Sequence, residues 1–301
     1  MNDRSPSFKN NKTVLLLGSS GLLGCTLKPI LESTGYSVVT HSRSKATSYQ
    51  VDLTDSNKTA EFLNEIKPEI IVNLVGLTDV DLCETNPNKA YLLNVRVIEN
   101  IAIWIKKVKP SCHLVQLSTD QVYDGVGLHD EKSISLKNYY AFSKYTGELA
   151  AIRVASTVLR TNFIGRSQSL TRSSLTDWLY NSLSNKESIQ VFDDVQFNPL
   201  SMTTLSNMIS LIILNKPLGV FNLGSHEGMS KADFAFVFAK ELKLPTACVT
   251  RTTTDKVSFL KTYRPKNMLT NCSKFENILN VKLPSLKDEI TQVAREYINE
   301  A

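Results

Sequence analysis

Apolar positions along the chain fall into two interleaved patterns. Short runs at 13–17, 37–40, 70–75, 113–117 and 157–163 have the length and β-branched content of buried strands, with a further short strand expected at 48–51. Between them, apolar residues recur every three or four positions at 22–33, 60–66, 90–108 and 139–154, which predicts amphipathic helices. Alternation of this kind is the signature of βαβ units. Helices then cover both faces of a parallel sheet, so its strands read as apolar throughout instead of alternating. Residues 13–165 are therefore expected to form an α/β, doubly wound parallel-sheet Rossmann fold that binds NADP. Past Gly165 the pattern becomes mixed, with helices near 175–183, 205–214, 231–242 and 286–298 and short strands at 189–192 and 220–223. Residues 166–301 are expected to make a smaller C-terminal α/β substrate-binding lobe with segments returning to the sheet. Residues 1–12 are polar, lack the apolar core of a signal peptide, and read as a disordered tail.

Composition narrows the class. With 301 residues, 42% of them hydrophobic and 21% charged, the chain can bury a sizeable core like an ordinary globular protein. No apolar run reaches membrane-spanning length, so neither a membrane partner nor an export route is expected and the cytoplasm is the expected location. The net charge of +5 is spread among acidic residues without a basic tract. This argues against a nucleic-acid partner and leans toward small anionic ligands. The five cysteines are odd in number, widely spaced, and without CxxC or Cys/His grouping, which points to a reducing compartment and no metal site.

The sharpest local signal is Gly18-Ser19-Ser20-Gly21-Leu22-Leu23-Gly24, which follows the first strand and opens the first helix. Glycines there allow a tight turn and close approach of backbone to a pyrophosphate, and the helix start offers it free N–H groups, so Gly18, Ser20, Gly21, Leu22, Leu23 and Gly24 are expected to form a cofactor-binding turn. The plainer reading is a glycine-rich turn with no ligand. At the end of the second strand, where NAD enzymes place a carboxylate for the ribose diol, the chain has His41-Ser42-Arg43-Ser44-Lys45. A cation flanked by hydroxyls suits a 2′-phosphate, so Ser42 and Arg43 favour NADPH, with NADH possible; a solvated surface turn is the alternative. Asp52 and Leu53 either flank the adenine or Asp52 serves as a helix cap.

The candidate reaction centre is Tyr140-Ala141-Phe142-Ser143-Lys144, which puts a phenol and an ammonium one helical turn apart. A cation beside the phenol is expected to lower its pKa, so that Tyr140 protonates an oxygen as hydride reaches the adjoining carbon while Lys144 also binds cofactor ribose. With ten tyrosines in the chain, the spacing alone arises by chance, but its position decides. The pair opens the helix after a strand ending in Leu117-Ser118-Thr119-Asp120, so Thr119 is placed to bind the same substrate oxygen.

Glycine turn, Ser-Thr-Asp after the strand and YxxxK together resemble the extended short-chain dehydrogenase/reductase family. The chain is most similar there to dTDP-4-dehydrorhamnose reductases and their sugar-nucleotide reductase relatives. Residues 117–125, reading LSTDQVYDG, are similar to their STDYVFDG signature; Asn73 to Glu84 resembles NxxxxTxVDxxE, and Arg264-Pro265-Lys266-Asn267 with Ser273-Lys274 resembles RPxN…SK. The resemblance implies Thr119, Tyr140 and Lys144 as catalytic residues. It places Thr78, Val80, Thr119, Asp120, Phe163 and Arg264 at the substrate, with Asn94 and Asn162 bordering the nicotinamide or substrate; Val75 and Gly76 complete the cofactor-binding set. Departures stand at Gln121 in place of an aromatic, Phe163 in place of tryptophan, and Gln196-Phe197-Asn198-Pro199 against QFGSPT.

The resemblance implies NADPH-dependent reduction of a keto group, the 4-keto of a nucleotide-linked deoxysugar, as in dTDP-rhamnose and polysaccharide biosynthesis. Dehydratases of this fold carry Thr-Asp-Glu, whereas Gln121 is an amide that does not serve as a proton-transferring acid or base. Epimerases, a second alternative, retain NAD, whereas the basic cluster favours an exchangeable NADPH. A different class stays open, because the chain also resembles the regulatory subunit of methionine adenosyltransferase, a non-catalytic NADP-binding partner protein. By analogy the helices at 90–108 and 139–154 would pair in a homodimer. Trp104 and Trp178 read as core or interface residues, His113 as structural, and His226 as either a turn residue or a nucleotide contact.

Overall fold

The computed structural model describes residues 12–43, 47–169 and 172–298. Residues 1–11 of the polar segment, and Ser44 and Lys45 of the basic cluster, lie outside the described residues. Six parallel strands form the central sheet: β1 (Thr13–Leu17), β2 (Ser37–His41), β3 (Ile70–Asn73), β4 (His113–Leu117), β5 (Ser156–Thr161) and β6 (Gly219–Leu223). Their order is β6-β5-β4-β3-β1-β2, with β1 set between β2 and β3 so that Leu16 pairs with Thr40 on one side and Val72 on the other.

Among the described residues eleven α-helices follow in chain order: α1 (Leu22–Ser33), α2 (Ser56–Ile66), α3 (Val80–Thr85), α4 (Pro87–Tyr91), α5 (Val97–Val108), α6 (Tyr139–Ala151), α7 (Leu175–Ser184), α8 (Met202–Asn215), α9 (Lys231–Glu241), α10 (Ser273–Leu279) and α11 (Leu286–Ile298). Alternate strand residues point to opposite faces, and each face has its own core. Val14, Leu16 and Val72 pack under α1 and α8 against Leu27, Leu31, Leu205 and Ile209. Leu15, Leu17 and Ile71 pack under α2 and α5 against Phe62, Ile101 and Trp104. Both sides of β1 and β3 are thus sealed from water, which accounts for their uninterrupted apolar sequence. A separate core of Leu179, Phe197, Phe234, Phe238, Ile290 and Tyr297 joins α7, α9 and α11.

Two expectations need correction. Residues 48–51 make no strand of the sheet; only Tyr49 bridges to His41, and Val51 instead gives its carbonyl to His41 Nε2 at 2.8 Å. Ser48 and Gln50 supply no apolar surface to bury, so the segment stays a loop, and the sixth strand is β6, contributed from beyond residue 165. The expected single helix at 90–108 is three pieces: α4, a π-helical turn at Leu92–Arg96, and α5. The wide turn brings Asn94 inward, where its amide is fully used: Oδ1 accepts from Leu77 N at 2.7 Å, and Nδ2 donates to Leu77 O at 3.0 Å and Ser143 Oγ at 2.9 Å. Inserted residues of this kind recur beside functional sites.

Candidate active site

From β1 the chain runs outward to β2 and then crosses back to β3, so the sheet switches direction between β1 and β3. Ligands of open α/β sheets lie outside the carboxyl ends of the strands at such a point. A cleft of about 1160 Å³ opens there. At one end, β1 turns into α1 through the glycine loop. Gly18 has φ +83°, and a Cβ on it would stand 3.2 Å from the backbone of Leu74 and Val75; a Cβ on Gly24 would stand 2.5 Å from Gly18 O. Side chains are thus excluded by the packing of turn, helix and neighbouring strand. Gly21 caps α1 without any side-chain hydrogen bond, so the first-turn N–H groups face the cleft uncapped and carry the positive end of the helix dipole. Arg43 stands exposed at the rim past β2, beside buried Ser42, and both line the cleft. Asp52 also lines it and closes an Asx turn on Thr54 (N at 3.0 Å, Oγ1 at 2.7 Å), which holds its carboxyl below the usual range; Asp55 is the cap of α2. The cradle fits a dinucleotide phosphate group on geometry and charge alone.

At the other end, Asn138 caps α6 by accepting from Ala141 N at 2.8 Å, which fixes the first turn carrying Tyr140. Tyr140 is only 6% exposed and Lys144 only 7%, and both line the cleft with Thr119. The phenol does not follow the sequence expectation of a lowered pKa. Burial drives it well above its ordinary value, with the negative charge of Asp120 adding to the rise and a hydrogen bond from Thr119 opposing it. Lys144 has turned its Nζ to Leu117 O at 2.8 Å, and burial lowers its pKa to about 8. Tyr140 is consequently held as the neutral phenol before any ligand arrives. Behind the pair, Ser118 Oγ donates to Glu148, one turn beyond Lys144, and Arg160 on β5 grips both oxygens of Glu148, with Nη2 at 2.6 Å from Oε2. That ion pair is nearly inaccessible to solvent, and it ties α6 to the ends of β4 and β5.

Comparison with known proteins then places the chain. The RmlD substrate binding domain profile matches residues 12–299. The chain belongs to this family. Within it, the Escherichia coli dTDP-4-dehydrorhamnose reductase is 26% identical over 300 residues, spanning 94% of this chain and 97% of that protein. The methionine adenosyltransferase 2 subunit beta of Pongo abelii is 26% identical over 280 residues, spanning 89% and 83%. Among solved structures, the Bacillus anthracis dTDP-4-dehydrorhamnose reductase in complex with NADP superposes with a TM-score of 0.86 at 22% identity, covering 95% of this chain and 99% of that one. The α/β, doubly wound fold and the resemblance drawn from the motifs both hold.

In this RmlD-family chain the cleft gathers most of the residues singled out from sequence: the glycine turn, Ser42, Arg43, Asp52, Leu53, Val75, Gly76, Thr78, Thr119, Asp120, Tyr140, Lys144, Asn162 and Phe163. Three do not line it. Asn94 lies behind Gly76, holding Leu77. Val80 is buried against Cys83, Ala90 and Tyr140. Arg264 crosses from the second half of the chain to chelate Asp81 at 2.9 and 3.2 Å. Sequence reading missed Lys89, Leu92, Leu93 and Arg172 on the cleft wall. The first three follow β3 on its carboxyl side, where the ligand-position rule would have found them, whereas no local pattern marks Arg172. Gln121 also lines the cleft, and its Oε1 is buried with no hydrogen-bond partner among the described residues. No group of His, Cys, Asp and Glu able to hold a metal ion, and no helix long and apolar enough to cross a membrane, occurs among the described residues.

Proposed function

We propose that this chain is an NADPH-dependent oxidoreductase that reduces the keto group of a nucleotide-linked deoxysugar, in the manner of a dTDP-4-dehydrorhamnose reductase. The observation that carries the reading is the single cleft in which an uncapped glycine turn at one end faces a buried Tyr140, Lys144 and Thr119 at the other. The glycine turn would hold the pyrophosphate, Arg43 and Ser42 the 2′-phosphate, and Lys144 the nicotinamide-side ribose. When bound, the dinucleotide supplies the hydride. Thr119 orients and polarises the substrate carbonyl, and Tyr140 gives its proton to the oxygen as negative charge grows there. Lys144, still charged at neutral pH, stabilises the resulting phenolate. In this reading residues 13–165 carry the cofactor and residues 166–301 the sugar nucleotide. All five cysteines are free, in keeping with work in the reducing cytoplasm.

The relatedness to a methionine adenosyltransferase beta subunit supports a second reading, a partner protein that binds NADP without turning over. Both are tested by mixing the protein with NADPH and a panel of 4-keto-deoxysugar nucleotides and following the nicotinamide absorbance. Steady loss of the signal with one substrate supports reduction. Tight NADPH binding with no loss for any member of the panel favours the partner role.

A further inference from the structure

The cleft wall carries Arg43, Lys89, Lys144 and Arg172 against two carboxylates, Asp52 and Asp120. Both carboxylates are held inside the protein: Asp52 accepts from Thr54 N and Oγ1, and Asp120 accepts from Asn162 Nδ2 at 2.9 Å. An excess of positive charge therefore faces the space where an anionic ligand would lie. Of these four cations, Arg172 comes from beyond residue 165. It is exposed, and its guanidinium has no hydrogen bond or ion pair among the described residues. The nearby Arg166 is different, because its Nη1 donates to Glu296 O at 2.9 Å and its guanidinium lies 5.7 Å from the centre of the Tyr297 ring.

The backbone around Arg172 is built, and it is tied to the glycine turn. Asp177, near the start of α7, accepts from Ser167 N at 3.2 Å, Ser174 N at 2.7 Å and the Tyr297 hydroxyl at 2.7 Å, so one carboxylate anchors the chain on either side of Arg172. Ser167 Oγ donates to Arg172 O at 2.6 Å. Ser169 Oγ donates to Ser20 O at 3.0 Å, a contact across 149 positions of sequence that lands on the glycine turn itself. Arg172 accordingly enters the cleft from the side where Ser20, Gly21 and Leu22 line it.

We propose that Arg172 is a second anchor for the cofactor, closing on the pyrophosphate from the second half of the chain while the glycine turn holds it from the first. This rests on the reading of the cleft as a dinucleotide site. The uncapped start of α1 offers directed N–H groups but only about half a unit of positive charge, too little to balance both phosphates. A guanidinium adds a full charge and paired donors, and Arg172 has no internal partner to give up when the anion arrives. Because NADPH and NADH share the pyrophosphate, Arg172 acts on both alike, whereas Arg43 tells them apart.

The test measures Kd by calorimetric titration of NADPH, NADH and dTDP into wild type, Arg172→Ala and Arg172→Lys, with thermal unfolding as the control for folding. Arg172→Ala is expected to weaken NADPH and NADH by the same factor, about 5- to 30-fold, with dTDP affinity and the unfolding midpoint unchanged; the gap to wild type should narrow in about 0.5 M salt. Arg172→Lys is expected to recover part of the loss, since it keeps the charge and gives up the paired donors. Wild-type affinity for both cofactors in Arg172→Ala overturns the proposal and leaves the dinucleotide site intact. Loss for NADPH alone would assign the cation to the 2′-phosphate, and loss for dTDP alone to the substrate's diphosphate; either result overturns it as well. A wild type that binds neither cofactor overturns the dinucleotide reading and the proposal together.

Discussion

The two ends of the cleft are made of different material. At the glycine end the binding groups are backbone N–H groups, and what matters is the space left by missing side chains: Gly18 and Gly24 sit where any Cβ meets neighbouring backbone. At the reaction end the groups are side chains delivered by three elements, namely Thr119 after β4, Tyr140 and Lys144 on α6, and Asn162 after β5. Their properties come from burial, which raises Tyr140 and lowers Lys144. A backbone-built end fails when an atom is added, and a side-chain-built end fails when one is removed.

The strongest way to test this contrast is Tyr140→Phe, which deletes one oxygen and keeps the ring packing. Turnover is expected to fall about 10³-fold or more with NADPH affinity within about twofold, measured by kcat and by fluorescence titration. Gly24→Ala adds one carbon at the other end and should do the reverse. NADPH affinity drops by about 10- to 100-fold in calorimetric titration, folding stability falls by roughly 1–3 kcal/mol as the crowded turn shifts, and kcat at saturating cofactor stays within about threefold. Arg43→Ala sharpens the cofactor assignment: NADPH binding should weaken about tenfold while NADH binding is unchanged, read from paired titrations. A loss shared equally by both cofactors would place the 2′-phosphate elsewhere.

The smallest effect is on pH dependence. Burial favours the neutral amine of Lys144, so its charge is present below about 8 and disappears as pH rises past that value. If, as proposed, the charged form holds ribose and backs the phenolate, kcat/KM for NADPH should decline a few-fold above pH 8 and not below it. A profile rising above 8 would show that the neutral lysine is the working form.

The same contrast explains what was legible in the sequence. The glycine turn could be read because its function resides in consecutive residues and in the strand and helix on either side, all short-range features. The strands could be read because β1 and β3 are buried on both faces, leaving apolar runs, while β4 is equally buried but carries His113 and Gln116 beside its apolar residues. Tyr140, Lys144 and Thr119 were found by position and resemblance, but the state of the phenol was misjudged. Whether Lys144 faces Tyr140 or Leu117 O, and how far Asp120 is buried, depends on packing between segments far apart in the chain. The sixth strand was assigned too early for a related reason. Residues 48–51 and Gly219–Leu223 are both short, and partnering with β5, with Phe221 beside Leu159 and Leu223 beside Thr161, selects the later one. The π-helical turn at Leu92–Arg96 is defined by how its backbone hydrogen bonds close, which the spacing of apolar residues does not report. Arg172 reaches the cleft only through the fold of the second half of the chain.

The central claim is that Tyr140 and the glycine turn serve one reaction, the movement of hydride to a sugar carbonyl. The direct measurement uses NADPH deuterated at the transferable nicotinamide carbon, incubated with the protein and dTDP-4-dehydrorhamnose, followed by mass and NMR analysis of the sugar. Deuterium on the carbon bearing the new hydroxyl, absent with Tyr140→Phe, is the predicted result. Tight NADPH binding with unlabelled, unreduced sugar would contradict the account.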